Sequence, residues 1–374
     1  MKKEIIQSMQ GPYAVISGSG LISKAGALIS APGVLPRGLI RGKTKVIIVS
    51  QPVIFSRYGK PLLNSLKKTG FKTFTHLLPN GEKAKTQTEL FRLYQVLLQA
   101  KFDRSDVILG LGGGVVGDLC GFAASTYLRG LTFVNAATTL LAQVDSAVGG
   151  KTAINLPEGK NLVGTFYPAK LVLADSEVLK TLPDRDFHAS LAEIVKYGVI
   201  RDAELFRQLE RETEKILNRD HEILSSIIHA CVRIKARVAE RDERETKGER
   251  MILNYGHTFA HAFEKAANYE DLRHGEAVSI GMASAGKLAV RLGMWSPALA
   301  ERQEKLLRAL WLPIRLDGFS FNVSDLLKAM QHDKKRSSGK LRFVLPVKIG
   351  KVVIREDITP KMIEQILGDV GGMR

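Results

Sequence analysis

Cysteine is nearly absent: Cys120 and Cys231 are the only two in 374 residues. That excludes a disulfide scaffold in a chain of this length, and a reducing compartment, the cytoplasm, is the expected setting. Long apolar runs are missing too. None reaches the roughly 18 residues a membrane-spanning helix needs, so no membrane partner is expected. The opening Met1-Lys2-Lys3-Glu4-Ile5-Ile6-Gln7 turns polar too soon for a signal peptide. Aromatic residues make up only 7%, and no nucleic-acid-binding motif accompanies them, so no nucleic-acid partner is expected either. Acidic residues are the scarcer charge, 38 against 55 Lys and Arg, a formal +17. Such an excess fits nucleic acid, an anionic membrane or a small anionic substrate, and the absences above favour the third.

What is present is ordinary globular composition, 45% apolar and 25% charged, at a length of roughly two domains. The first half alternates strand and helix patterns. Lys45–Ser50, Phe71–Leu77, Asp106–Leu111, Leu131–Asn135 and Leu171–Ala174 read as strands, and 84–100 has apolar residues at helical spacing. This order implies βαβ units, a mostly parallel, Rossmann-like sheet and an α/β class. Residues 31–38 read as a loop. Beyond Thr181-Leu182-Pro183 helical periodicity takes over. We therefore expect an α/β domain over 1–182 and an all-α domain over 183–374. The mixed-sign run from Arg233 to Arg250 reads mostly as a solvated helix face.

Three patterns carry chemistry. Residues 112–117 satisfy G-x-G-x-x-G between a strand and a helix, as a diphosphate-binding turn would. The acidic residue expected about 20 positions later is missing, since Ala136-Ala137-Thr138-Thr139 stands there. The turn is thus either a non-standard diphosphate site or a packed glycine turn. His257 and His261 lie four apart, His274 follows, and Glu193 sits among apolar neighbours. Three such ligands with one open position suit catalytic zinc; the alternative for Glu193 is a salt bridge to Lys196. Gly149-Gly150-Lys151-Thr152 ends like a P-loop, but Asp145 occupies the place of its first glycine, which excludes that motif.

Taken in order, several segments resemble the 3-dehydroquinate synthase family of sugar phosphate cyclases. They are Leu78–Lys83, Gly112–Asp118, Tyr127–Gly130, Thr138–Asp145, Gly149–Asn155, Ala192–Tyr197, Leu253–His257, His274–Glu276 and Asp333–Lys335. The resemblance implies an NAD- and metal-dependent lyase. It would turn 3-deoxy-D-arabino-heptulosonate 7-phosphate into 3-dehydroquinate and phosphate, a step toward aromatic amino acids. By the same resemblance a ring hydroxyl would be transiently oxidised, phosphate eliminated, the ketone reduced again and the ring finished by an aldol closure, with NAD not consumed overall. By resemblance the metal, zinc or cobalt, would fall on Glu193, His257 and His274. Substrate contacts would fall on Asp145, Lys151, Lys160, Asn161, Lys196, Arg250, Asn254, His261 and one of Lys334 or Lys335, with Lys335 chosen. NAD contacts would fall on Asn80, Glu82, Lys85, Gly113, Gly114, Val115, Asp118, Thr138, Thr139, Lys151, Lys160, Thr181 and Leu182. Arg129 would reach across a homodimer into the neighbouring site. Gln51 and Val53 replace the acidic residue and asparagine usual at the adenosine ribose, so weaker NAD binding is expected. A sister cyclase with another substrate, or a metal-dependent polyol dehydrogenase, are the alternatives.

Overall fold

The computed structural model describes residues 1–34, 44–267, 271–317, 321–336 and 341–371, without the side chains of 331–336. The loop expected over 31–38 lies partly outside the described residues. The chain forms two units, Met1–Leu182 with His221–Arg244, and Pro183–Asp220 with Glu245–Arg374.

In the first unit the elements are β1 (Lys2–Ile6), β2 (Tyr13–Gly18), α1 (Ala25–Ile29), β3 (Lys45–Ser50), α2 (Pro52–Lys68), β4 (Lys72–Leu77), α3 (Gln87–Gln99) and β5 (Val107–Gly112). Then come α4 (Gly114–Thr126), β6 (Thr132–Ala137), β7 (Lys151–Leu156), β8 (Gly159–Phe166) and β9 (Leu171–Asp175). Seven strands form one sheet in the order β1-β2-β9-β6-β5-β3-β4. Every pair is parallel except β1 with β2. The central strands β5, β6 and β9 are wholly buried and β3 nearly so. This explains their continuous Val, Ile and Leu runs in place of alternation.

The chain leaves β3 outward to β4, then crosses to place β5 on the other flank of β3. That reversal makes a switch point, and in doubly wound sheets ligands bind outside the carboxyl ends of the strands there. Ser50 pairs level with Leu111, so Gln51 and the glycine turn after β5 stand at this crevice. Lys151 and Lys160, read from sequence as residues of glycine turns, stand instead on β7 and β8, a separate antiparallel pair.

The second unit holds α5 (Asp184–Ile200), α6 (Ala203–Arg211) and α7 (Thr213–Leu217). The chain then returns to the first unit for α8 (His221–Arg241). It finishes in the second unit with α9 (His257–Ala266), α10 (His274–Arg291), α11 (Pro297–Ala309), α12 (Val323–Arg336), the antiparallel pair β10 (Phe343–Lys348) and β11 (Lys351–Arg355), and α13 (Pro360–Val370). Two features depart from the expectation of one all-α segment over 183–374. The hairpin β10–β11 joins the helices, and α8 with residues to Arg244 belongs to the first unit. The apolar stripe of α8, Leu224, Ile227, Ile228 and Cys231, is fully buried, and the helix lies against β1 and β2. Glu240 and Glu243 accept backbone N–H groups of Gln7 and Met9 at 2.8 and 2.7 Å.

Candidate functional site

Each unit carries its own cluster of functional side chains. In the second unit α5 is buried almost throughout, and Glu193 lies on it at 1% exposure. A carboxylate there needs compensating partners. Its Oε2 pairs with Lys196. Its Oε1 lies 3.3 Å from Nε2 of His257 and 3.6 Å from Nε2 of His274. The two readings of Glu193, ion pair and metal ligand, are therefore compatible, one oxygen serving each. Burial opposes its charge, but Lys196 and the imidazoles outweigh burial and hold the carboxyl well below the ordinary range.

Two close approaches bring the imidazoles in. A Cβ on Gly275 would lie 1.7 Å from the carbonyl oxygen of Ala189, so only glycine lets the start of α10 seat on α5. Gly256, which caps α9, has φ +81°, a conformation that favours glycine. Arg185 grips both oxygens of Glu276 at 2.7 and 2.8 Å, and the carbonyl of Asp271 at 2.7 Å, pinning the first turn of α10.

The donor set suits a divalent metal. Ligand atoms of Glu193, His257 and His274 all lie within 4.8 Å of one another. Nitrogen and oxygen ligands at about 2.0–2.1 Å from tetrahedral zinc stand about 3.3 Å apart. The outer ring nitrogens are engaged as well. Nδ1 of His257 donates to the Tyr255 carbonyl at 3.1 Å, and Nδ1 of His274 to Glu264 at 3.1 Å. Such outer partners fix which nitrogen of each ring, Nε2, is presented to a metal. Burial lowers the pKa of His257 despite Glu193. For His274 burial acts downward, yet the carboxylates of Glu193 and Glu264 push it up to about 10. A metal would have to displace that proton.

The other expected residues of this unit lie near in sequence and differ in setting. His261 follows His257 by one turn, with ring centroids 5.7 Å apart. Lys196 is buried and stacks 4.9 Å from the Tyr197 ring centroid. Arg250 is buried, 3.2 Å from Glu245, on a 3₁₀ turn that ends at the exposed Asn254. Lys334 and Lys335 fall in α12, and their side chains lie outside the described residues.

In the first unit β5 runs into Gly113, which caps the 13-residue helix α4. The first-turn N–H groups of α4 have no intrahelical acceptor, which favours an anion. A Cβ on Gly113 would approach Thr139 to 2.9 Å, and one on Gly114 would approach Ser146 to 3.1 Å. At both positions the neighbouring side chain, Thr139 or Ser146, closes on the glycine backbone. Thr138 donates its N–H to the Gly112 carbonyl at 2.9 Å, and its buried hydroxyl has no partner among the described residues.

Beside it, Lys85 is buried and bonded to both Asp118 and Asn161. Asn155 accepts from the Asn161 N–H at 3.1 Å and donates to Glu82 at 2.7 Å. Glu82, Lys85, Asp118 and Asn161 thus form one network. Burial raises the pKa of Asp118, with Lys85 opposing. The exposed Asn80 lies in a turn braced by Gln51, whose amide donates to Pro79 at 2.8 Å and Gly81 at 3.2 Å. Val53 is exposed. Thr181, followed by the buried Leu182, bonds Tyr58 at 2.6 Å and accepts from Arg57 at 2.8 Å. Arg129 has φ +64° just after Leu128 at +49°. Lys151 and Lys160 are exposed.

Sequence reasoning missed two residues. Lys235, read as part of a solvated helix face, is 5% exposed. It bonds the carbonyl and carboxylate of Asp145, both at 2.7 Å, where the chain makes a π turn over Ala142–Ser146. Glu264 stands behind His274. Helical spacing flagged the burial of neither, because a charged residue reads as solvent-facing until its partner is placed.

Fold and site define a class: a doubly wound α/β unit with a glycine turn between strand and helix at its switch point, joined in one chain to a helical unit bearing a Glu/His/His set. Comparison with known proteins narrows it. The 3-dehydroquinate synthase N-terminal family matches residues 75–189, and the C-terminal family matches 190–336. The 3-dehydroquinate synthase of Microcystis aeruginosa is 46% identical over 349 residues, 93% of this chain and 94% of its own. That of a Nostoc species is 47% identical over 332 residues, 88% and 91% respectively. The 2-epi-5-epi-valiolone synthase of Streptomyces hygroscopicus, solved with NAD+ and Zn2+ bound, superposes with TM-score 0.84 at 28% identity, over 96% of each chain. The chain belongs to the 3-dehydroquinate synthase family.

Proposed function

We propose that this chain converts 3-deoxy-D-arabino-heptulosonate 7-phosphate into 3-dehydroquinate and phosphate, acting in the cytoplasm as a homodimer. The observation that carries the reading is the Glu193, His257 and His274 set with its outer partners, in a chain of this family. NAD, when bound, would supply a reversible hydride acceptor, and Glu193, His257 and His274 would hold a divalent metal able to polarise the hydroxyl that is oxidised. The N-terminus of α4, with Gly113, Gly114 and Val115, cradles the cofactor diphosphate. Glu82, Lys85, Asp118, Thr138, Thr139, Thr181 and Leu182 contact the rest of it, with Asn80 in the braced turn beside them.

The substrate is a sugar acid phosphate, so it needs cations at both ends. Lys151, Lys160, Arg250 and Lys335 serve its phosphate and carboxylate. Lys235 holds Asp145 in place, and Asp145, Asn161, Asn254 and His261 bond the hydroxyls. Lys196 keeps the second oxygen of Glu193 occupied, which directs the first toward the metal. Arg129, exposed at the end of a left-handed turn, is assigned by family resemblance to the partner's site.

The test is phosphate release from the heptulosonate phosphate with NAD and zinc, with and without chelator. Release that depends on both supports the proposal, and none with both present refutes it. His274→Ala should lose zinc and activity while its circular dichroism stays that of the parent.

A further inference from the structure

We propose that Glu264 is a positioning residue of the metal site, setting through Nδ1 which nitrogen of His274 is free for metal and where it points. This rests on reading Glu193, His257 and His274 as ligands. Glu264 lies on α9, seven residues after His257 and on the same helix face. Its side chain is 13% exposed, and its Oε1 is 3.1 Å from Nδ1 of His274. Among the described residues His274 is its one ion-pair partner. A carboxylate can only accept, so Nδ1 carries a hydrogen, and Nε2, the atom 3.6 Å from Glu193, is the nitrogen turned toward the ligand set.

The two imidazoles differ in how they are held. His257 is oriented by the Tyr255 carbonyl, two residues away in the same chain segment, so main chain fixes it whatever the side chains are. His274 is the first residue of α10. Gly275 and the Arg185–Glu276 clamp locate its backbone, but they leave its ring free to turn about two bonds. Glu264 is the side chain that stops that rotation. Outer carboxylates of this kind typically contribute about 10–100-fold to metal affinity.

The test measures zinc affinity of the full chain by competition with a chromophoric chelator, and the visible spectrum of the cobalt-loaded protein. Parent, Glu264→Ala and Glu264→Gln are compared, with far-ultraviolet circular dichroism of each metal-free protein. Glu264→Ala should bind zinc about 10–100-fold more weakly and shift the cobalt bands. Glu264→Gln, whose amide oxygen still accepts from Nδ1–H, should recover most of the affinity. If Glu264→Ala does not fold, Glu264→Asp, shorter by one methylene, takes its place with the same expected loss. Affinity within twofold of parent and an unchanged cobalt spectrum would overturn the proposal while leaving the ligand set standing. A parent that binds no zinc would overturn both.

Discussion

Replacing Gly275 with alanine tests how the metal site is assembled. The new Cβ would lie 1.7 Å from the Ala189 carbonyl oxygen, whereas such contacts essentially never fall below 3.0 Å, so α10 must move at least 1.3 Å relative to α5. The obstacle is backbone, so no rotamer change relieves it. His274, the residue before, moves with the helix. Its 3.6 Å separation from Glu193 could then open toward about 4.9 Å, beyond the roughly 4.2 Å spanned by two ligands on opposite sides of one zinc. Overpacking of this kind costs about 1–3 kcal/mol, or roughly 2–4 °C in Tm per kcal/mol for a unit of this size. Zinc affinity by chelator competition and calorimetric melting, with and without metal, measure both consequences. The expected result is a lower Tm, a loss of zinc affinity and a collapse of activity. Parent-like affinity with an unshifted Tm would refute the claim that this glycine contact seats His274.

Three further outcomes follow from named contacts. Burial opposes ionisation of Glu276, but Arg185 and the Arg273 N–H outweigh it and lower its pKa below the ordinary glutamate value. Its contribution to stability is therefore present above the unfolded glutamate pKa and is lost as pH falls through the folded one, so the Tm of Glu276→Gln should vary less than that of parent between about pH 5 and 3. Lys235→Met should leave Asp145 without its buried cation, destabilising the first unit by about 1–3 kcal/mol in urea melts and cutting kcat/KM; unaltered kinetics would deny Asp145 its place in the site. Gln51→Asp should tighten NAD binding and weaken NADP, as read by fluorescence titration, because a carboxylate accepts from the ribose 2′-hydroxyl and repels a 2′-phosphate.

The strands, the glycine turn and the ligand triplet were legible along the chain because each is a local signal. Buried parallel strands need unbroken β-branched runs, a diphosphate turn needs glycines between strand and helix, and metal ligands are restricted to few residue types. The burial of Glu193 and its pairing with Lys196 were legible from apolar neighbours and i,i+3 spacing; the settings of Lys235 and Arg250 were not. Whether a charged side chain faces water or a buried partner depends on elements far off in sequence, such as α8 returning to the first unit to bring Lys235 to Asp145. The strand positions of Lys151 and Lys160 were hidden by the glycines beside them. By itself, then, the sequence determined the α/β and helical halves, the family and the chemistry-bearing residue types. Only tertiary structure decided that one oxygen of Glu193 serves Lys196 and the other the imidazoles, and that Gly275 and Glu264 hold His274. The physical reason is that orientation and burial belong to the packing of two or more elements and are not encoded in the spacing of any one.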